Sequence, residues 1–127
     1  MSTVLIVEDS PVLRRLLEVA MRQLDVETLT EMTAAGAREA IARSNPDVIL
    51  LDIGLPDGSG MDVLAWTRSQ PQFDDIQIVM ASGVADAQGI DLALGSGACA
   101  FLVKPYSPED VRTVVSQLIT TSGQVAV

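Results

Sequence analysis

Histidine is absent from this 127-residue chain. Its absence excludes Ser-His-Asp triads, Cys-His pairs, imidazole zinc sites and any role as a phosphohistidine carrier. Cysteine occurs once, at Cys99. A disulfide framework is therefore impossible, a reducing compartment is expected, and the thiol reads by default as a small buried apolar residue. No apolar run reaches the length of a membrane span, and the N-terminus lacks the basic start of a secretion signal. The expectation is a soluble, cytoplasmic protein with no membrane contact. Positive charge is scarce as well, with 8 basic against 17 acidic residues and a net charge of −9. Phosphate backbones are held by clustered Lys and Arg, so direct nucleic-acid binding by this chain is not expected. Lysine occurs only at Lys104; every other cation is an arginine. There is no internal repeat and no low-complexity linker.

What is present is one domain by length, with 48% hydrophobic residues, enough for a real core. Thr3–Val7 and Asp47–Leu51 are apolar runs without alternation, the pattern of strands buried on both faces. Val26–Glu31 alternates loosely and reads as an outer strand. Ile76–Ala81 and Ala98–Val103 complete a set of five. Helices are expected between them. Ser10-Pro11 opens the first, with Leu13, Leu16, Leu17, Ala20 and Leu24 on one face. Ala34–Arg43 is the second, stopped by Asn45-Pro46. Ser59 or Gly60 opens the third, which Gln70-Pro71 ends. The fourth, within 85–94, is the weakest, interrupted by Gly89 and closed by Gly95-Ser96-Gly97. Ser107-Pro108-Glu109-Asp110 caps the fifth, whose stripe is Val111, Val114, Val115, Leu118 and Ile119. Residues 1–121 form the domain and 122–127 a flexible tail. Regular alternation with short connections implies an α/β fold: a doubly wound, five-stranded parallel sheet with helices on both faces.

In such a sheet the carboxyl ends of the strands share one rim, where ligands bind. The first strand ends on Glu8 and Asp9, the third on Asp52, the fourth on Ser82 and the fifth on Lys104. Carboxylates crowded together repel unless a cation sits among them. Mg²⁺ suits a few carboxylates with retained waters and a phosphoryl oxygen. A metal, an ammonium and a hydroxyl are what a phosphoryl group requires. With no histidine, cysteine or amine better placed, the nucleophile is a carboxylate, as in aspartyl-phosphate chemistry.

Four motifs in order carry a resemblance: Val7-Glu8-Asp9-Ser10, Leu51 through Gly60 (LDIGLPDGSG), Met80-Ala81-Ser82-Gly83 and Lys104-Pro105. Together they resemble the receiver domain of bacterial two-component response regulators, the chemotaxis-regulator-like family, to about residue 120. The resemblance implies a flavodoxin-like strand order 2-1-3-4-5. It implies that Asp52 accepts a phosphoryl group from a histidine kinase or histidine phosphotransfer protein. Asp9 and Asp52 would bind Mg²⁺ directly with the backbone carbonyl of Gly54, and Glu8 mainly through water. Lys104 would contact the phosphoryl group, Ser82 would move to hydrogen-bond it, and Phe101 would be the switch aromatic. The Lys104-Pro105 bond would be cis. The face of the fourth helix, fifth strand and fifth helix would change partner preference, towards a downstream effector or a second copy of the chain. No effector domain follows residue 120, so a stand-alone module is expected.

Each residue also has a plainer reading. Glu8-Asp9 before a helix suits the helix dipole, Lys104 suits a solvated strand end, and Ser82 suits a turn before Gly83. Phe101 suits a core strand. Asp57 and Asp62 read as loop and helix-surface residues, not metal ligands, and Trp66 as half-buried packing or a contact surface. Two departures from the family stand out. Gly54 and Val84, two residues beyond Asp52 and Ser82, cannot hydrogen-bond a hydrolytic water, so slow autodephosphorylation is expected. The glycine-broken fourth helix should be easily remodelled. A haloacid-dehalogenase-like phosphohydrolase would need a second acid at Gly54, and a non-phosphorylated adaptor would have an incomplete pocket.

Overall fold

The side chains of Val4–Val7, Val48–Leu51 and Ile78–Met80 are almost completely shielded from solvent, and they point alternately to two separate cores. Leu5, Val7, Ile49, Leu51, Ile78 and Met80 face one core with Ala37, Ala40, Ile41, Val63 and Leu64. Val4, Ile6, Val48, Leu50 and Val79 face the other with Leu17, Ala20, Met21, Val111 and Val115. Successive strand residues point to opposite faces, so continuous apolar sequence is what a sheet covered on both sides needs. Each such side chain contributes roughly 1.5–3 kcal/mol by leaving water.

The computed structural model describes residues 1–83 and 87–124, with side chains to residue 120. Its strands are β1 (Ser2–Val7), β2 (Val26–Glu31), β3 (Val48–Asp52), β4 (Gln77–Ser82) and β5 (Ala100–Val103). All neighbours run parallel, in the order β2-β1-β3-β4-β5. Helices α1 (Pro11–Met21) and α5 (Pro108–Gln124) cover one face, α2 (Ala34–Ser44) and α3 (Gly60–Arg68) the other. Helix α4 (Ala87–Gly95) buries only Ala93 among its residues. The doubly wound order is therefore as the motifs implied, with β3, buried along its whole length, in the middle between β1 and β4.

Local chemistry sets the helix ends. Ser10 caps Leu13, Thr33 caps Gly36 and Ser59 caps Met61, each hydroxyl accepting from a backbone N–H. Ser107 and Asp110 cap each other's backbone N–H groups. Asn45 closes α2 with φ of 46°, a left-handed conformation that asparagine tolerates. Helix α4 ends in a Schellman turn: Ala98 donates to Ala93 O and Gly97 to Leu94 O, with Gly97 at φ 110°. The Arg68 side chain locks that turn to α3, donating to the carbonyls of Gly97, Phe73 and Ile76.

Several local expectations need correction. Cys99 is exposed, because β5 starts one residue later and the thiol points outward, donating to Gln77 Oε1 at 3.0 Å. Gly89 does not interrupt α4, which runs through it; a glycine costs a helix about 1 kcal/mol relative to alanine and does not forbid it. Helix α5 is bounded at Gln124, and residues 125–127 of the expected tail lie outside the described residues. Trp66, by contrast, is half-buried in line with its packing reading, stacked obliquely on Phe73 with ring centroids 5.8 Å apart.

Between β3 and α3 the chain folds into a small ladder, Gly54–Leu55 against Gly58–Ser59. Gly60 then donates to Ile53 O at 2.7 Å. A Cβ on Gly60 would collide with the carbonyl oxygen of Asp52. Gly60→Ala should therefore destabilise the fold by about 1–3 kcal/mol through overpacking. Urea unfolding followed by circular dichroism measures the loss; an unchanged midpoint would contradict the close approach.

Candidate functional site

The β1-β3 register places Val7 beside Leu51, so Glu8 and Asp52 emerge on the same rim. Glu8 is 2% exposed and Asp52 7%, whereas Asp9 faces solvent. Carboxylate oxygens of Glu8, Asp9 and Asp52 all lie within 4.8 Å of one another. Two like charges at that separation repel by roughly 3 kcal/mol at an effective dielectric constant of about 20.

Lys104 occupies the gap. Its ammonium is 2.9 Å from Glu8 Oε1 and 3.1 Å from Asp52 Oδ1. Lys104 is delivered by β5, whose ladder with β4 extends one residue further as Lys104 N–H donates to Ser82 O at 2.8 Å. The Lys104-Pro105 peptide is cis. Burial disfavours the charged ammonium, but the bonds and charges of Glu8 and Asp52 outweigh it, so the Lys104 pKa is raised. Lys104 thus stays protonated across the physiological range. The Glu8 pKa is also raised, by burial first and by the Asp52 charge, against the lowering effect of Lys104 and the Ser10 N–H. Arg14 adds a second cation at the rim, donating to the Glu8 carbonyl at 3.1 Å.

The remaining predicted residues differ in how they meet this cluster. Ser82 ends β4, half-exposed, on the strand next to that of Asp52. Gly54 is exposed, and its N–H approaches Asp52 Oδ1 at a long 3.4 Å. Phe101 is half-buried, paired in register with Met80 and packed on the α2–α3 core. Val84 lies outside the described residues. Asp57 is not in the acidic cluster. Its carboxylate accepts from the N–H groups of Ala34 and Ala35 at 2.7 and 3.0 Å. These bonds hold its pKa below the usual carboxylate value.

Tyr106 went unnoticed in the sequence. It lines a small hollow behind Glu8 and Asp52 with Leu17, Leu50, Val79 and Leu102. Burial, then the Glu8 carboxylate, raises its phenol pKa. Its position two residues after Lys104 was the available signal.

Comparison with known proteins identifies this arrangement. Residues 4–116 match the response regulator receiver domain family. The chain belongs to that family. The transcriptional regulatory protein KdpE of Mycobacterium tuberculosis is 34% identical to this receiver domain over 110 residues, covering 87% of this chain and 47% of KdpE. The response regulator protein PilR of Pseudomonas aeruginosa is 34% identical over 112 residues, covering 88% of this chain and 25% of PilR. The receiver domain thus spans about half the length of KdpE and a quarter of PilR. Among solved structures, a Vibrio parahaemolyticus signal receiver domain superposes with a TM-score of 0.90 at 29% identity, covering 98% of this chain and 95% of that one. The chemotaxis response regulator CheY4 of Vibrio cholerae shares the fold, with a TM-score of 0.87 at 24% identity and coverage of 93% and 98%. This chain is thus a receiver domain of the signalling response regulator family. Among the described residues, no helix is long and apolar enough to cross a membrane.

Lys104→Met should leave two poorly hydrated carboxylates facing each other and lower stability by about 2 kcal/mol at neutral pH. Thermal denaturation measures it; a variant as stable as the parent would show that the ammonium is not needed to hold the rim together.

Proposed function

We propose that this receiver domain is a phospho-accepting switch in a two-component relay, with Asp52 receiving a phosphoryl group from a phosphohistidine on a histidine kinase or phosphotransfer protein. The observation that carries the reading is the Lys104 ammonium, shared between Glu8 and Asp52 where the Asp9 carboxylate also converges. An Asp52 carboxylate oxygen forms the new O–P bond as the P–N bond to the donor imidazole breaks, and that bond's electron pair leaves with the nitrogen. Lys104, protonated throughout, faces the added negative charge, and Ser82 supplies a hydroxyl at the next strand end.

The three carboxylates outnumber the cations Lys104 and Arg14 at the rim, and a divalent cation would offset the remaining negative charge. The donors are hard oxygens, the set that suits Mg²⁺. Asp9, Asp52 and the Gly54 carbonyl would hold the ion, with Glu8 acting through water, and its charge would stabilise the transferring group. Output would pass through α4, β5 and α5. Leu92, Leu94 and Val103 are exposed there, at 63%, 43% and 40%, a surface suited to an effector protein or a second phosphorylated copy. Phe101, half-buried beside this face, is the switch aromatic of this reading. A hydrolase of the haloacid-dehalogenase type is disfavoured because Gly54 offers no second acid. A silent adaptor is disfavoured because Glu8, Asp9, Asp52 and Lys104 are all in place.

Incubation with acetyl phosphate and Mg²⁺ followed by intact-mass measurement should show one phosphoryl adduct, absent in Asp52→Ala. An adduct that persists in Asp52→Ala would place the chemistry elsewhere, and steady phosphate release from unrelated monoesters would favour a hydrolase. The adduct should decay slowly, because Gly54 carries no side chain to orient an attacking water. A lifetime of seconds with Mg²⁺ present would refute that expectation.

A further inference from the structure

The loop that follows Asp52 is fastened at three points. Leu55 is buried in the α2–α3 core, Gly60 N–H closes on Ile53 O, and Asp57 reaches across to α2. The third differs in kind. Asp57 is exposed at the tip of the ladder, yet its two carboxylate oxygens accept from the first two N–H groups of α2, at 2.7 and 3.0 Å. Thr33 caps the third at 2.9 Å, so α2 is capped jointly by its own N-cap residue and by a residue from the loop after β3. A carboxylate there also meets the positive end of the helix dipole. The lowered Asp57 pKa keeps the bridge charged at neutral pH.

We infer that Asp57 is a positioning residue for the metal site: by tying the loop to α2 it fixes the backbone of Gly54, and so sets the affinity for Mg²⁺. This rests on the reading of Glu8, Asp9, Asp52 and Gly54 as the Mg²⁺ site. Gly54 has no side chain to pack, and a Cβ there would meet nothing within 4 Å. Beyond its long N–H contact to Asp52 Oδ1, its backbone is held through its neighbours: Ser59 across the ladder, Leu55 below and, through the ladder tip, Asp57. An unfastened loop would have to be ordered at the moment of metal binding, and that ordering costs affinity.

The test is calorimetric titration with MgCl₂ of the parent chain, Asp57→Ala, Asp57→Asn and Thr33→Ala. Asp57→Ala should weaken Mg²⁺ binding about tenfold, the lower end of what lost outer-shell support costs a metal site. Asp57→Asn, which keeps one uncharged acceptor, should fall between. Thr33→Ala also removes a cap from the same helix end and should lower thermal stability, but the hydroxyl it removes bonds Gly36 of α2, and Mg²⁺ affinity should stay at the parent value. Unchanged affinity in Asp57→Ala would overturn the inference while leaving the metal site intact. An equal loss in Thr33→Ala would overturn it too, because helix stability and not the tether would then be responsible. A parent chain that binds no Mg²⁺ would sink both the site reading and the inference.

Discussion

Like charges held at close range are the constraint from which the rest of this domain follows. Glu8, Asp9 and Asp52 bring carboxylate oxygens within 4.8 Å of one another, two of these side chains nearly shut off from water. Such a cluster persists only because it is mounted on β1 and β3, whose apolar side chains fill two cores and fix the register. Lys104 answers part of the repulsion from a different strand, which makes the placement of β5 part of the electrostatics. On the proposed reading, the remaining negative charge would attract a divalent cation.

Much of this was legible in the residues. Unbroken runs such as Val48–Leu51 announce a strand buried on both faces, and the polar residue that stops each run marks the ligand-binding rim. Glu8, Asp9, Asp52 and Lys104 were placed together on that argument, and the structure brings them together. The contacts that escaped the sequence are those made by side chains across unrelated elements. Asp57 lies 22 to 23 residues from the N–H groups it caps, and no local pattern announces that. Arg68 reaches carbonyls up to 29 residues away. Cys99 was misjudged because composition favours burying a thiol, while its actual position is the first residue before an edge strand.

The family relationship and the geometry bear on different questions. Matching residues 4–116 to receiver domains establishes the fold and the signalling class. It does not specify what this chain regulates, because KdpE and PilR are longer proteins of which it covers only a part. The geometry addresses the chemistry directly. The loop after Asp52 carries Gly54, joins α2 through Asp57, and enters α3 through Gly60 against the Asp52 carbonyl. Helix α4, with Ala93 alone buried, is the least anchored element beside the rim. A rigid side and a loosely packed side thus flank one charged site, a division of labour suited to a switch.

The most direct test of the central claim is a crystal structure of the domain grown with Mg²⁺ and beryllofluoride, a mimic of the phosphoryl group. The account predicts a BeF₃ adduct on an Asp52 carboxylate oxygen, Mg²⁺ among Asp9, Asp52 and the Gly54 carbonyl, and the Lys104 ammonium in contact with a fluorine. A structure in which Asp52 stays unmodified and Lys104 remains paired with Glu8, at saturating Mg²⁺ and beryllofluoride, would contradict it.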